Sequence, residues 1–343
     1  MSGVAAFVVI LGVLVFIHEL GHFLVAKRSG IKVLEFALGF GPPLLRVRRG
    51  ETCYAVRVIP LGGYVRLAGM DMPVGPGSDA RPPEPGDFNS KPLLHRMATI
   101  SAGPLMNFAL AILLFAGYFS SVAIPPTVVH VPEGSPAALG GLQEGDEIIA
   151  VGGARAESAE EVVRAIRSHR DTPLELKARR DGKIVELRVT PRYDPDRKIV
   201  SIGMAVFSQE RQSVPRALVL GASYTYNIAR QTVEAAVSMI TGRTRADLFG
   251  PVGIFQAVRE NAARGIAFLV FTAAVLNVNL GLLNFLPIPV LDGGWLVFLA
   301  LEGIRGKPLA PEHRGIAQFI GLTLLLLLLL FATYRDVVRL NLT

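Results

Sequence analysis

Two unbroken apolar runs dominate the hydropathy pattern: Val4 to Ala26, and Gly315 to Tyr334 with its long leucine block. A helix crosses a bilayer with about 20 apolar residues, so each run predicts a span. Met97–Phe119 and Ile266 to Leu286 are interrupted but keep the same character, and they predict two more. Between the first two spans the pattern shortens to that of strands. Leu44–Val47 and Cys53–Ile59 flank Arg48-Arg49-Gly50-Glu51, a hairpin signature, within a stretch punctuated by Gly39, Gly41, Pro42, Pro43 and Pro60-Leu61-Gly62-Gly63. Residues 71–90 are rich in Pro, Gly and Asp and predict an exposed loop. In residues 123–207, Lys and Arg nearly balance Asp and Glu, as in a small soluble domain. There Val162–Ile166 predicts helix, while Leu174–Lys177 and Ile184–Val189 predict strands joined by an Asp181-Gly182 turn. Residues 214–240 predict an amphipathic helix lying on the membrane surface.

The expected fold class is an α-helical integral membrane protein with about four transmembrane helices, a membrane-associated β-hairpin region and one small separate domain. Its segments are 1–122 (two spans and the β region), 123–207 (the domain), 208–265 (an amphipathic helical segment) and 266–343 (two spans). Composition agrees: 51% of the 343 residues are hydrophobic and 18% charged, against about a quarter charged in soluble domains.

The net charge of +7 is not spread as on a nucleic-acid-binding face. Lys27, Arg28, Lys32, Arg46, Arg48, Arg49, Arg57 and Arg66 follow the first span, against Glu35 and Glu51, and Arg305, Lys307 and Arg314 precede the last. In a four-span protein both loops share one side, and the positive-inside rule makes it the cytoplasm. The 123–265 region then faces outward. Cys53 is the one cysteine, so no internal disulfide forms. The N-terminal run lacks a basic leader and is long for a signal peptide, so it is expected to be retained.

The decisive chemistry lies inside that first run: His18-Glu19-Leu20-Gly21-His22. Residues four apart share a helix face, so His18 and His22 can offer imidazole nitrogens to one zinc, with Glu19 beside them as general base toward a water. Ionisable groups at membrane depth cost several kcal/mol and are functional by default; the alternative is a polar cluster that packs helices. A catalytic zinc takes three protein ligands, and no third His stands at a soluble-protease spacing. Asp292 is the better candidate, in Asn284-Phe285-Leu286-Pro287-Ile288-Pro289-Val290-Leu291-Asp292-Gly293-Gly294. Two prolines break the third span, and broken helices at membrane depth line cavities or lie buried in protein. The alternative is that Asp292 marks a loop at the membrane face.

This HExxH in a first span, with an LDG after an N-x-x-P-x-P segment in a late span, resembles the site-2 protease family of intramembrane metalloproteases. The bacterial branch that regulates the sigma-E type envelope stress response is the nearest, and the resemblance covers nearly the whole chain. Gly39-Phe40-Gly41-Pro42, Ile59-Pro60-Leu61-Gly62-Gly63-Tyr64-Val65, Ala102-Gly103-Pro104 with Asn107, and Gly250-Pro251-Val252-Gly253-Ile254 carry it further. It implies His18, His22 and Asp292 as Zn2+ ligands and Glu19 as the base. It also implies Asn279 and Asn284 as substrate-positioning residues, with interhelical hydrogen bonding as their alternative. Residues 123–207 resemble a bacterial, permuted PDZ domain through Gly134-Ser135-Pro136-Ala137 and Gly141-Leu142-Gln143-Glu144-Gly145-Asp146. Gly134, Ser135, Gly141 and Leu142 are its candidate peptide-binding residues. Some relatives carry two such domains; this chain has room for one.

The implied function is regulated proteolysis of single-span membrane proteins, of anti-sigma-factor or signal-peptide-remnant type, already shortened by another protease. The implied setting is the bacterial inner membrane, with the PDZ-like domain extracytoplasmic. The partners are those substrates and membrane lipids, with no nucleic acid. The 44–59 hairpin is expected to offer an edge, along Val56–Ile59, to an unwound substrate. The rivals are a membrane zinc transporter, an inactive PDZ-bearing scaffold and a soluble-type zinc protease on a membrane anchor.

Overall fold

A computed structural model describes residues 3–70, 84–194, 198–243 and 250–340. In chain order these form α1 (Gly3–Arg28), β1 (Val33–Arg49), β2 (Thr52–Leu67), α2 (Leu93–Ser121), β3 (Ile124–His130), α3 (Pro136–Leu139), β4 (Glu147–Val151), β5 (Ala154–Arg155), α4 (Ala159–Arg167), β6 (Leu174–Arg180) and β7 (Lys183–Val189). There follow β8 (Arg192–Asp194), β9 (Ile199–Ser201), β10 (Ala205–Gln209), α5 (Val214–Ile240), α6 (Pro251–Arg264), α7 (Ile266–Phe285), α8 (Asp292–Arg305) and α9 (Pro311–Leu340). Contacts divide them into two units, residues 1–116 with 218–343, and residues 117–217.

In the first unit, α1, α2, α7 and most of α9 are long and apolar enough to cross a membrane. The buried residues of α1, Ala6, Ile10, Leu14, His18, Gly21 and His22, recur every three to four positions, so one stripe faces the protein. Its upper part packs with Val258 of α6 and with Leu269 and Ala273 of α7. Its far end packs with Ile31, Val33, Leu67, Phe88, Ile100 of α2 and Leu299 of α8. Of the loop expected to be exposed, Glu84, Pro85, Asn89 and Ser90 are exposed, whereas Gly86, Asp87 and Phe88 are buried; residues 71–83 of that loop lie outside the described residues.

The β region is more folded than a hairpin. Strands β1 and β2 bend back, so that Glu35 pairs with both Cys53 and Arg66, and Ala37 with both Ala55 and Tyr64. Residues 43–49 pair with the other side of 52–57. The sheet therefore runs 43–49, 52–57, 33–38, 63–67. Of the edge expected along Val56–Ile59, Val56 is covered on both sides, pairing with Leu38 and Leu45, while Ile59 pairs with Phe40 on one side. Among the described residues, the edges without a further strand are 43–49 and 63–67.

A half-buried carboxylate, Glu302, and a buried one, Asp336, set helix positions in this unit. Arg96, at the start of α2, holds Glu302 near the end of α8 through hydrogen bonds of 2.6 and 3.1 Å. Asp336 of α9 accepts the backbone N–H groups of Gly250 (3.1 Å) and Gly253 (2.8 Å). It thereby caps α6, whose own N-terminal residue, Gly250, has no side chain that could accept them.

The second unit holds a sheet in the order β10-β3-β4-β6-β7, with β5 beside β4. Val128, Leu142, Ile148, Val162, Ile166, Leu174, Leu176 and Val189 lie in its core. Residues 159–167, 174–180 and 183–189 take the expected helix and strands, and Asp181 and Gly182 turn with positive φ of 48° and 78°. Asp146, 1% exposed, accepts two hydrogen bonds from Arg180, at 2.7 and 2.6 Å, and one from the Gln143 amide at 2.9 Å.

Candidate functional site

His18 and His22 continue the buried stripe of α1, and each is 8% exposed. Their Nε2 atoms stand 3.1 Å apart. Asp292 comes from the other end of the chain. The helix α7 ends at Phe285, the Pro287–Pro289 stretch prevents its continuation, and α8 starts at Asp292. Asp292 Oδ2 lies 3.1 Å from His18 Nε2 and 3.4 Å from His22 Nε2. The break thus delivers a carboxylate to two imidazoles, and the loop-marker reading of Asp292 does not describe its surroundings.

The proton inventory explains why these three atoms want a cation. The His22 Nδ1–H donates to the Thr99 carbonyl at 2.9 Å; a carbonyl can only accept, so the hydrogen sits on Nδ1 and Nε2 keeps a bare lone pair. Asp292 Oδ2 is buried and receives no hydrogen bond. A bare imidazole nitrogen of His22 and a buried carboxylate oxygen of Asp292 therefore converge beside His18. Ligands on a tetrahedron with bonds of about 2.0 Å are about 3.3 Å apart along each edge. The separations of 3.1, 3.1 and 3.4 Å are those of three corners of such a tetrahedron. Two imidazoles and a carboxylate are also a donor set that suits zinc, so the residues present fit that ion.

The space is made by α2. A side chain at Gly103 would collide with His22 Nε2 and Cε1, and would come within 2.8 Å of His18 Cε1. Only glycine lets the helix pass behind both rings. One helical turn on, Asn107, fully buried, has its Nδ2 3.1 Å from His18 Nδ1.

Glu19 is half-buried beside the pair. Strand 63–67 passes along it: a side chain at Gly63 would meet Glu19 Cγ at 3.2 Å, and the Val65 backbone amide donates toward the Glu19 carboxylate. Glu19 thus sits next to a sheet edge that has no strand partner among the described residues. Within that sheet Arg57 donates to Glu35 at 2.6 Å and lies 5.4 Å from the centre of the Tyr64 ring. Burial pushes Glu35 up, but hydrogen bonds from Arg57 and Tyr64 outweigh it and hold the carboxyl below its ordinary value.

The other expected residues stand elsewhere. Asn279 Oδ1 accepts the Thr232 hydroxyl of α5 at 3.0 Å, which is interhelical hydrogen bonding. Asn284 is half-buried at the end of α7. In the 117–217 unit, Ser135 caps α3 by accepting the Ala138 amide. Leu142 is a core residue, Gly141 gives its carbonyl to Arg180, and Gly134 sits in the turn before α3 with φ of 74°. Each of the four thus has a place in the fold of this unit.

Sequence reading assigned no role to Thr99, Gly103, Asn107 or Gly63. Thr99 acts through its backbone carbonyl, which any residue would supply. Gly103 and Asn107 share one face of a helix by their spacing of four, and that was the available signal.

Residues 6–328 match Peptidase family M50. The chain is 34% identical to the zinc metalloprotease RasP of Geobacillus kaustophilus, covering 98% of both. It is 33% identical to the regulator of sigma-W protease RasP of Bacillus subtilis, covering 99% of both. A putative zinc metalloprotease of Agrobacterium fabrum is 35% identical, covering 97% of this chain and 95% of that protein. Among solved structures, the PDZ domain of an SdrC-like protein from Listeria monocytogenes is 20% identical, covering 24% of this chain and 86% of that one, with a TM-score of 0.23.

Proposed function

The chain belongs to Peptidase family M50 and is a zinc metalloprotease, and we propose that it cuts single-span membrane proteins within or beside the bilayer. In this reading His18, His22 and Asp292 hold the zinc and Glu19 is the general base. The observation that carries it is the convergence of His18, His22 and Asp292, whose candidate ligand atoms lie within 4.8 Å of one another on and against an apolar helix long enough to span a membrane.

When bound, zinc makes a water acidic near neutral pH and polarises a carbonyl. The rest falls to the chain. Glu19 takes the proton of the attacking water and passes it to the leaving amine nitrogen. The Val65 amide and the close backbone at Gly63 keep that carboxylate in place. A substrate helix must unwind first, because its carbonyls are hydrogen-bonded along the helix. The edge at residues 63–67 is the one beside Glu19, and an unwound segment pairing with it would lie along the base.

The basic loops after the first span and before the last support a cytoplasmic β region and an extracytoplasmic 117–217 unit in a bacterial inner membrane. The name of the Bacillus subtilis relative, a regulator of sigma-W protease, supports a membrane-anchored regulator of a sigma factor as substrate, shortened by another protease beforehand. The 117–217 unit then acts as a PDZ-like filter. Its support is β10, an edge strand among the described residues, flanked by α4 through the Ala159 amide on the Ser208 hydroxyl at 2.7 Å. A peptide would add there as a further strand.

The test pairs wild type with Glu19→Gln in detergent, measuring bound zinc and cleavage of a single-span substrate. The expected result is zinc kept and cleavage lowered by about 100-fold or more. Equal cleavage by both proteins would overturn the assignment of Glu19. Deleting residues 125–206 should let uncleaved substrates through; unchanged selectivity would overturn the filter.

A further inference from the structure

His18 and His22 each have a second ring nitrogen, and the two are held differently. The Nδ1–H of His22 has a backbone carbonyl to donate to, that of Thr99. His18 Nδ1 instead faces Asn107 Nδ2 at 3.1 Å. If His18 Nε2 is a metal ligand, the neutral ring carries its hydrogen on Nδ1. An amide nitrogen cannot accept that hydrogen, so two donors would face each other. On the same side chain, Asn107 Oδ1 is buried without a partner. A buried acceptor left bare is destabilising, because it has lost its water partners and gained none.

One change removes both faults. The carboxamide of asparagine has nearly the same shape when turned by 180°, and its orientation is decided by the hydrogen-bond network. Turned, it places Oδ1 against the His18 Nδ1–H. The surroundings hold Asn107 where this contact needs it. The residue is fully buried, and Asn277 of α7, also fully buried, donates to its backbone carbonyl at 2.6 Å. That bond pins the turn of α2 from which the carboxamide projects.

We propose that Asn107 is a positioning residue for the metal: its side-chain oxygen accepts the Nδ1 hydrogen of His18, fixing the tautomer and aiming the Nε2 lone pair at the zinc. This rests on the reading of His18 as a ligand. Both imidazoles would then be oriented from α2, His22 by the carbonyl of Thr99 and His18 by the carboxamide two turns further on. Partners of this kind are worth about 10–100-fold in metal affinity.

The test uses full-length protein in detergent and reads zinc affinity by competition with a chelator, together with melting of the zinc-free and zinc-loaded forms. Asn107→Leu keeps the volume and removes the acceptor; the expected loss is about 10–100-fold in affinity. Asn107→Asp keeps an oxygen in place but has no hydrogen to donate at neutral pH, so affinity should return to within a few-fold of wild type. Wild-type affinity in Asn107→Leu overturns the proposal. So does equal weakening in both variants, which a merely structural asparagine would give. Should Asn107→Leu fail to fold, Asn107→Asp decides alone, since weak zinc binding by a folded Asp variant would mean the asparagine was a donor. His18→Ala separates the two layers: if it keeps its zinc, the ligand reading fails, whereas zinc lost there but unaffected in Asn107→Leu defeats the positioning role only.

Discussion

Asp292 in the membrane unit and Asp146 in the 117–217 unit are both buried carboxylates, and they are treated in opposite ways. Asp146 accepts three hydrogen bonds and faces a guanidinium. Asp292 Oδ2 accepts none and faces two imidazole nitrogens, of which His22 Nε2 carries no hydrogen. Burying an anion is costly unless charge and hydrogen bonds compensate. A compensated carboxylate is a strut; an uncompensated one, converged upon by further donors, is a socket for something positive.

The contrast breaks most sharply on removing each acid in turn. Asp292→Ala should abolish bound zinc and bring cleavage to background, while the zinc-free protein melts no lower than wild type, because the substitution relieves crowded lone pairs. A lower zinc-free melting temperature would make Asp292 a strut after all. Asp146→Ala should instead cost about 3 kcal/mol by stranding Arg180. It should appear as faster proteolysis within residues 117–217 of the full chain, with zinc content unchanged.

Two smaller changes sharpen the distinction. Gly103→Ala adds one methyl group behind the imidazoles and should weaken zinc by about 10–100-fold through overpacking, read by chelator competition. Asp336→Ala removes the cap of α6 and should cost about 1 kcal/mol, seen as lower melting with zinc affinity intact.

The mildest test is pH. Burial raises Asp146, but the Arg180 and Gln143 hydrogen bonds more than offset it and hold the carboxyl below its ordinary value. A lowered folded value contributes stability that is fully present above the unfolded value of about 3.9 and is lost as pH falls below it. Melting of the wild type should therefore lose this increment only below about pH 4, and Asp146→Asn should flatten that part of the curve.

Much of this was legible in the sequence, and the reasons differ by element. Spans are written in apolar runs, which is why α1, α2, α7 and α9 fall where the pattern puts them. His18 and His22 are local, joined by helix geometry alone. Asp292 needed a longer inference, from two prolines to a break and from the break to a buried acid. The order of strands in the β region was not legible, because alternation fixes which faces are apolar and leaves open which strand lies between which. That is why the exposed edge was expected along Val56 and lies at 63–67 and 43–49. The grip of Thr99 on His22 was invisible for a simpler reason: a backbone carbonyl has no letter. The candidate groove residues of the 117–217 unit were read from glycine turns, and in the structure Ser135 caps α3 and Leu142 lies in the core.

The site draws two donors from the first helix and the third from the start of α8, far along the chain. During synthesis at about 5–20 residues per second, the interval between making His22 and making Asp292 is on the order of tens of seconds. Throughout it the emerging chain holds two of the three candidate metal ligands and lacks the third.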